Sequence, residues 1–198
     1  MRIVQLRAST LYGLCLTLGA LGTGCAMDAG PDDPTADEAT AVSAITINVN
    51  ASYTLVGVQS GKCVAVQGAS TASTAPIEID TCTGTASQRF RPETAGGGFF
   101  RLHNELSGLC LDVSGASTAD GAALLQFTCG TGTNQQFSFT DVAGGAERVT
   151  ARHSGRVLDV TAQGTADGTR VEQFTSNGGA NQAFVMTQAL GAFAPDPE

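Results

Sequence analysis

The feature that most constrains this chain is an internal repeat. The stretches 61–90, 108–137 and 155–184 are each 30 residues long and follow one another at a spacing of 47 residues, with no insertion in either interval. They read GKCVAVQGASTASTAPIEIDTCTGTASQRF, GLCLDVSGASTADGAALLQFTCGTGTNQQF and GRVLDVTAQGTADGTRVEQFTSNGGANQAF. Each is preceded by an alternating stretch at one repeat position: Tyr53-Thr54-Leu55, Phe100-Arg101-Leu102 and Glu147-Arg148-Val149. Short apolar-alternating runs bounded by Gly, Ser, Thr and Ala read as strands and turns. These runs include Cys63 to Val66, Leu111 to Val113, Leu158 to Val160, Ile77 to Ile79, Leu124 to Phe127 and Val171 to Phe174. About four strands per unit, three times over, predict an all-β body of about twelve short strands. A single four-stranded unit cannot cover its own apolar face, whereas a ring of three buries all three faces and removes most free strand edges. Repeated four-stranded units also build propellers, but those need at least about four blades.

Cysteine spacing follows the same period. Apart from Cys15 and Cys25 near the N-terminus, the cysteines are Cys63, Cys82, Cys110 and Cys129, with 19 residues between the members of each repeat. Four cysteines allow three pairings, and only Cys63–Cys82 with Cys110–Cys129 respects the repeat. The third unit carries Val157 and Ser176 at these positions. Both partners are replaced together, as befits a bonded pair. No CxxC motif or neighbouring His accompanies them, which argues against a metal site.

The ordered string Cys-x-Asp-Val, Asp-Gly, aromatic-x-Cys and Asn-Gln-x-aromatic, repeated over residues 48–188, resembles the ricin-B-type β-trefoil lectins and carbohydrate-binding modules. The resemblance implies a β-trefoil with pseudo-threefold symmetry and no catalytic activity. The family's Gln-x-Trp signature stands here as Gln88-Arg89-Phe90, Gln135-Gln136-Phe137 and Gln182-Ala183-Phe184. The three phenylalanines are therefore expected at equivalent core positions. A pyranose offers an apolar C–H face and a rim of hydroxyls, so its site needs an aromatic platform, a carboxylate acceptor and a side-chain amide. Carried over from the family, these are Asp112, Phe127, Asn134 and Gln135 in the second repeat, and Asp159, Phe174, Asn181 and Gln182 in the third. The first repeat has Ala65, Asp80, Ser87 and Gln88 instead, which marks it as a degenerate site.

Plainer roles stand beside these assignments. Asp112 and Asp159 also suit strand-end carboxylates that bond nearby backbone N–H groups. Gln135 and Gln182 suit backbone braces, because Gln88 persists where the other ligand positions have changed. Phe127 and Phe174 suit core positions, although Asp80 at the equivalent place speaks against a core face. Asp120-Gly121 and Asp167-Gly168 are turn dipeptides whose carboxylates also serve as braces, and Glu172 is a weak contributor beside the third site.

Charge excludes other classes. With 10 Lys and Arg against 18 Asp and Glu, the chain lacks the basic cluster that nucleic acid requires. His103 and His153 fall at unrelated repeat positions and there is no GxSxG, so nothing marks an enzyme. No cofactor is expected. Residues 1–25 read as an export leader: Arg2 and Arg7 precede an apolar stretch from Leu11 to Leu21 that is too short to span a bilayer. Leu21 to Cys25 resembles a bacterial lipobox with Cys25 as the lipidated residue, the alternative being an ordinary secretory cut near Ala26. Residues 26–46, acidic and without apolar periodicity, read as a tether, and 189–198 as a tail. The expectation is an extracytoplasmic, monomeric binder of galactose- or xylose-type glycans, held to the cell envelope or surface only by a lipid anchor, or else secreted. The alternative from another class is a protein-interaction or inhibitor trefoil with vestigial sugar positions.

Overall fold

The structure, a computed structural model, describes residues 46–189. The expected leader, the anchor at Cys25, the tether up to residue 45 and the tail beyond Ala189 lie outside the described residues. Twelve strands run from Tyr53 to Gln188: β1 (Tyr53–Gly57), β2 (Cys63–Val66), β3 (Ile77–Asp80), β4 (Phe90–Gly96), β5 (Phe99–Asn104), β6 (Cys110–Val113), β7 (Ala122–Phe127), β8 (Phe137–Val142), β9 (Ala146–Ala151), β10 (Val157–Val160), β11 (Thr169–Phe174) and β12 (Phe184–Gln188). Every pairing among them is antiparallel.

Six strands close on themselves. β1 pairs with β4, β4 with β5, β5 with β8, β8 with β9, β9 with β12 and β12 with β1. This ring is a barrel without a free edge, the outcome the repeat requires. The other six strands form the hairpins β2–β3, β6–β7 and β10–β11. The hairpins meet as a triangular cap: β11 pairs with β3 and β7, and a bridge joins Pro76 to Leu125. Three backbone bonds repeat this contact around the axis: Thr74 N to Gln126 O at 2.8 Å, Gly121 N to Gln173 O at 2.9 Å and Gly168 N to Ile79 O at 2.9 Å. The architecture is a β-trefoil.

The core gathers where barrel and cap meet. Phe90, Phe137 and Phe184 open β4, β8 and β12 and are at most 2% exposed. Each side chain contributes about 1.5–3 kcal/mol by burial. Their cross-strand partners are Tyr53, Phe100 and Glu147, so a carboxylic acid occupies a position that is aromatic in the other two thirds. Cys63–Cys82 and Cys110–Cys129 are disulfide-bonded, the pairing that the spacing selects.

Alternation along the cap hairpins decides which side chains can meet a ligand. In β6–β7, Leu111 and Gln126 form one opposed pair and Val113 and Leu124 another; all four face the interior. The intervening pairs, Asp112 with Leu125 and Cys110 with Phe127, share the opposite face. β10–β11 repeats the pattern, with Asp159 opposite Glu172 and Val157 opposite Phe174. In β2–β3 the outward pairs are Ala65 with Glu78 and Cys63 with Asp80.

Candidate carbohydrate site

The second and third repeats build the same cradle. Asp112 Oδ2 accepts from Asn134 Nδ2 at 2.9 Å and from Gln135 Nε2 at 2.7 Å. Asp159 Oδ2 accepts from Asn181 Nδ2 at 2.9 Å and from Gln182 Nε2 at 2.8 Å. Both asparagines also reach a main-chain carbonyl at 3.3 Å, that of Val113 or of Val160. The amides arrive on short 3-10 turns, Thr133–Gln135 and Ala180–Gln182, which follow the cap hairpin and lead into the barrel strand. Two donors on one carboxylate oxygen orient the group and leave its second oxygen for an outside donor.

The aromatic residue stands at the rim of the cradle. Phe127 is 43% exposed and Phe174 37% exposed, so neither belongs to the core. In the second repeat a groove of about 450 Å³ is lined by Asp112, Phe127 and Asn134 together with Ser114, Gly115, Ala116, Leu125 and Thr74. Thr74 comes from the first repeat, so the groove lies across a repeat boundary. Thr74, Ser114, Gly115, Ala116 and Leu125 are the lining residues that sequence reasoning missed. Leu125 shares a face with Phe127 by simple alternation, a signal that was available; Thr74 is brought close by the Pro76–Leu125 bridge and by its own backbone bond to Gln126 O.

The glutamines have a double task. Gln135 Oε1 accepts from Gly130 N at 2.7 Å while its Nε2 also donates to Thr128 O at 3.0 Å. Gln182 makes the same pair of bonds with Asn177 N at 2.9 Å and Thr175 O at 3.0 Å. In the first repeat Gln88 accepts from Thr83 N and donates to Thr81 O, both at 2.8 Å, and has no carboxylate to hold. Gln135 and Gln182 are buried and all their polar atoms are engaged, so they reach a ligand only through the aspartate.

Burial pushes the Asp112 carboxyl above its ordinary value, against the pull of the Gln135 and Asn134 amides and of His153. Burial raises Asp159 likewise, opposed by Gln182 and Asn181. The first repeat lacks these elements: Ala65 replaces the aspartate, Asp80 binds its neighbour Thr81 N at 2.8 Å, and Gln67 Nε2 donates to the buried Glu78 at 3.0 Å.

The turn aspartates act as clasps between thirds. Asp120, from the second repeat, accepts from Thr175 N at 2.7 Å, next to Phe174, and from Arg156 Nε at 2.5 Å. Asp167, from the third repeat, binds Thr81 Oγ1 at 3.0 Å and Lys62 Nζ at 2.5 Å in the first. Gly121 and Gly168, which follow them, hold φ near +80°, a conformation open chiefly to glycine. The remaining repeat boundary has Ser73 and Leu109 at the corresponding places, so its clasp carries no ion pair. His103 approaches Cys110 and Cys129, but sulfurs joined in a disulfide cannot serve as thiolate ligands.

Comparison with known proteins gives one consistent answer. The model of the ricin-type beta-trefoil lectin domain-like family matches residues 44–127 and 133–193. The designed threefold-symmetric protein ThreeFoil is 38% identical, with a TM-score of 0.68 over 69% of this chain and 97% of that one. An exo-β-1,3-galactanase from Clostridium thermocellum is 35% identical with a TM-score of 0.69, covering 72% of this chain but 31% of that one. The Macrolepiota procera ricin B-like lectin, solved in complex with lactose, shares the fold at 20% identity, with a TM-score of 0.61 over 72% of this chain and 98% of that one. A comparison with curated proteins found no match. The three linked thirds, the Gln-x-Phe braces and these likenesses together place the chain in the ricin-type beta-trefoil lectin domain-like family.

Proposed function

We propose that the protein is a non-catalytic lectin that binds glycans through two sites, one in the second repeat and one in the third, while the first repeat serves the fold alone. The observation that carries this reading is the coincidence of an oriented, half-free carboxylate with an exposed aromatic side chain on one face of a cap hairpin, twice over. In each site the free oxygen of Asp112 or Asp159 accepts from a sugar hydroxyl. Phe127 or Phe174 covers the apolar face of the ring, and the asparagine holds the carboxylate in register.

Likeness to ricin B-like lectins, among them one solved with lactose, supports galactose-type termini as the first ligands to try. Such shallow sites bind with Kd of about 1 mM, or roughly 4 kcal/mol. Two of them on one rigid body gain strength against a polymer or a surface through effective concentration. An export leader with lipidation at Cys25 would display the domain outside the cytoplasm, where its two disulfides are stable. A glycan array tests the function. The full chain should bind a defined set of glycans and the Asp112→Ala/Asp159→Ala double variant should lose them; undiminished binding by that variant would count against the sites.

A further inference from the structure

The two cradles share their acceptor and platform but differ in one wall. Leu125, opposite Asp112, makes that wall apolar in the second repeat. Its counterpart opposite Asp159 is Glu172. The partly buried Glu172 carboxylate points toward Gly121 of the neighbouring repeat, where a Cβ would meet Oε2 at 4.0 Å. Gly121 and Glu172 stand at the repeat positions that Thr74 and Leu125 hold in the lining of the second-repeat groove. Burial and the nearby charges of Asp159 and Asp120 push the Glu172 carboxyl upward, with the Thr161 hydroxyl opposing them. Asp120 is matched by Arg156. Among the described residues no Lys or Arg forms an ion pair with Asp159 or Glu172. In the second repeat, by contrast, Asp112 faces Leu125 and has His153 close enough to pull its carboxyl down.

Resting on the lectin reading, we infer that Glu172 makes the third site selective for a cationic amino sugar, a hexosamine with a free ammonium group, while the second site takes the neutral sugar. Two carboxylates without a cation repel each other across the strand pair, and a ligand ammonium between them relieves that repulsion while donating up to three hydrogen bonds. A neutral hydroxyl relieves none of it. The apolar Leu125 wall offers an ammonium only desolvation. A glycan in which acetylated and deacetylated hexosamines alternate would then satisfy both sites at once.

The test is a residue-resolved NMR titration of the full chain at about pH 6, where an amine is protonated. The probes are methyl galactoside, galactosamine and N-acetylgalactosamine, together with the glucose-configured set of three. Galactosamine or glucosamine should bind around Phe174 and Asn181 roughly fivefold more tightly than the matching neutral sugar, as expected of one partly exposed charge pair. No such preference should appear around Phe127 and Asn134, and added salt should erode it in the third repeat. Glu172→Gln should abolish the preference in the third repeat, while neutral-sugar binding at the second repeat, which Glu172 does not line, persists and shows that the variant is folded; Leu125→Glu should create the preference in the second repeat. Equal affinity for amine and neutral sugar in the third repeat, or a preference that survives Glu172→Gln, overturns the inference while leaving the lectin reading intact. If none of the six sugars perturbs either repeat, the lectin reading fails and the inference with it.

Discussion

Gln135 Nε2 lies 2.7 Å from Asp112 Oδ2 and 3.0 Å from Thr128 O, so one side-chain amide orients the site and closes a turn of the fold. The same geometry without the aspartate, at Gln88, is the internal control that the repeat supplies. Gln135→Ala should therefore lower stability and weaken binding in the second repeat together. Gln88→Ala should lower stability alone, by about 1–3 kcal/mol for the buried partners left unpaired. Chemical denaturation alongside a sugar titration of both variants checks the split.

Asp112 and Asp159 are pushed up by burial, and each must be ionised to accept from a sugar hydroxyl with full strength. Affinity should fall as pH drops through their raised values, at a higher pH than an ordinary aspartate would give. Isothermal titration with one sugar across a pH series measures this. Asp112→Asn should keep residual binding in the second repeat and flatten its pH dependence there.

Glu147 stands opposite Phe184 at a position that is aromatic in the other repeats, and is 4% exposed. Burial, with Asp141 beside it, pushes its carboxyl up to about 7. The folded protein thus holds a proton that the unfolded chain, with an ordinary glutamate, releases at lower pH. Stability from this group is complete below the unfolded value and declines as pH rises toward the folded one, by roughly 3 kcal/mol in all. Urea midpoints at acid and mildly alkaline pH should show the decline, and Glu147→Gln should remove most of it.

Each disulfide joins residues 19 apart and contributes about 3 kcal/mol by the chain-entropy estimate. Cys63→Ser/Cys82→Ser should cost about that much and leave sugar binding in the third repeat unchanged. Thermal melts of the double variant, oxidised and reduced, check it.

Much of this was legible in the chain because the repeat states it three times. The strands and the disulfide pairing follow from one spacing and from alternation, and the core role of Phe90, Phe137 and Phe184 follows from the resemblance of the Gln-x-Phe string to the family's Gln-x-Trp signature. The exposure of Phe127 and Phe174 was foreshadowed by Asp80 at the same position, since a core face does not readily accept a carboxylate. Features that depend on packing between repeats were not legible. Thr74 enters the second groove through a neighbouring third, and Asp120 reaches Thr175 across 55 residues. Gln126 and Gln173 sit in apolar strands yet are buried and bonded to carbonyls of the preceding repeat, Ser70 and Ala72 for one and Ser117 and Ala119 for the other. Their recurrence at the repeat spacing was visible, but not the partners that make their burial tolerable. The unequal walls, Leu125 and Glu172, likewise differ in residue type alone and acquire meaning once Asp112 and Asp159 are known to face them.

The most direct measurement is residue-resolved NMR of the labelled full chain titrated with lactose. Shifts should cluster around Asp112, Phe127 and Asn134 and around Asp159, Phe174 and Asn181, with Ala65, Asp80 and Ser87 unmoved. Shifts centred on the first repeat, or confined to surfaces away from both cradles, would contradict the account.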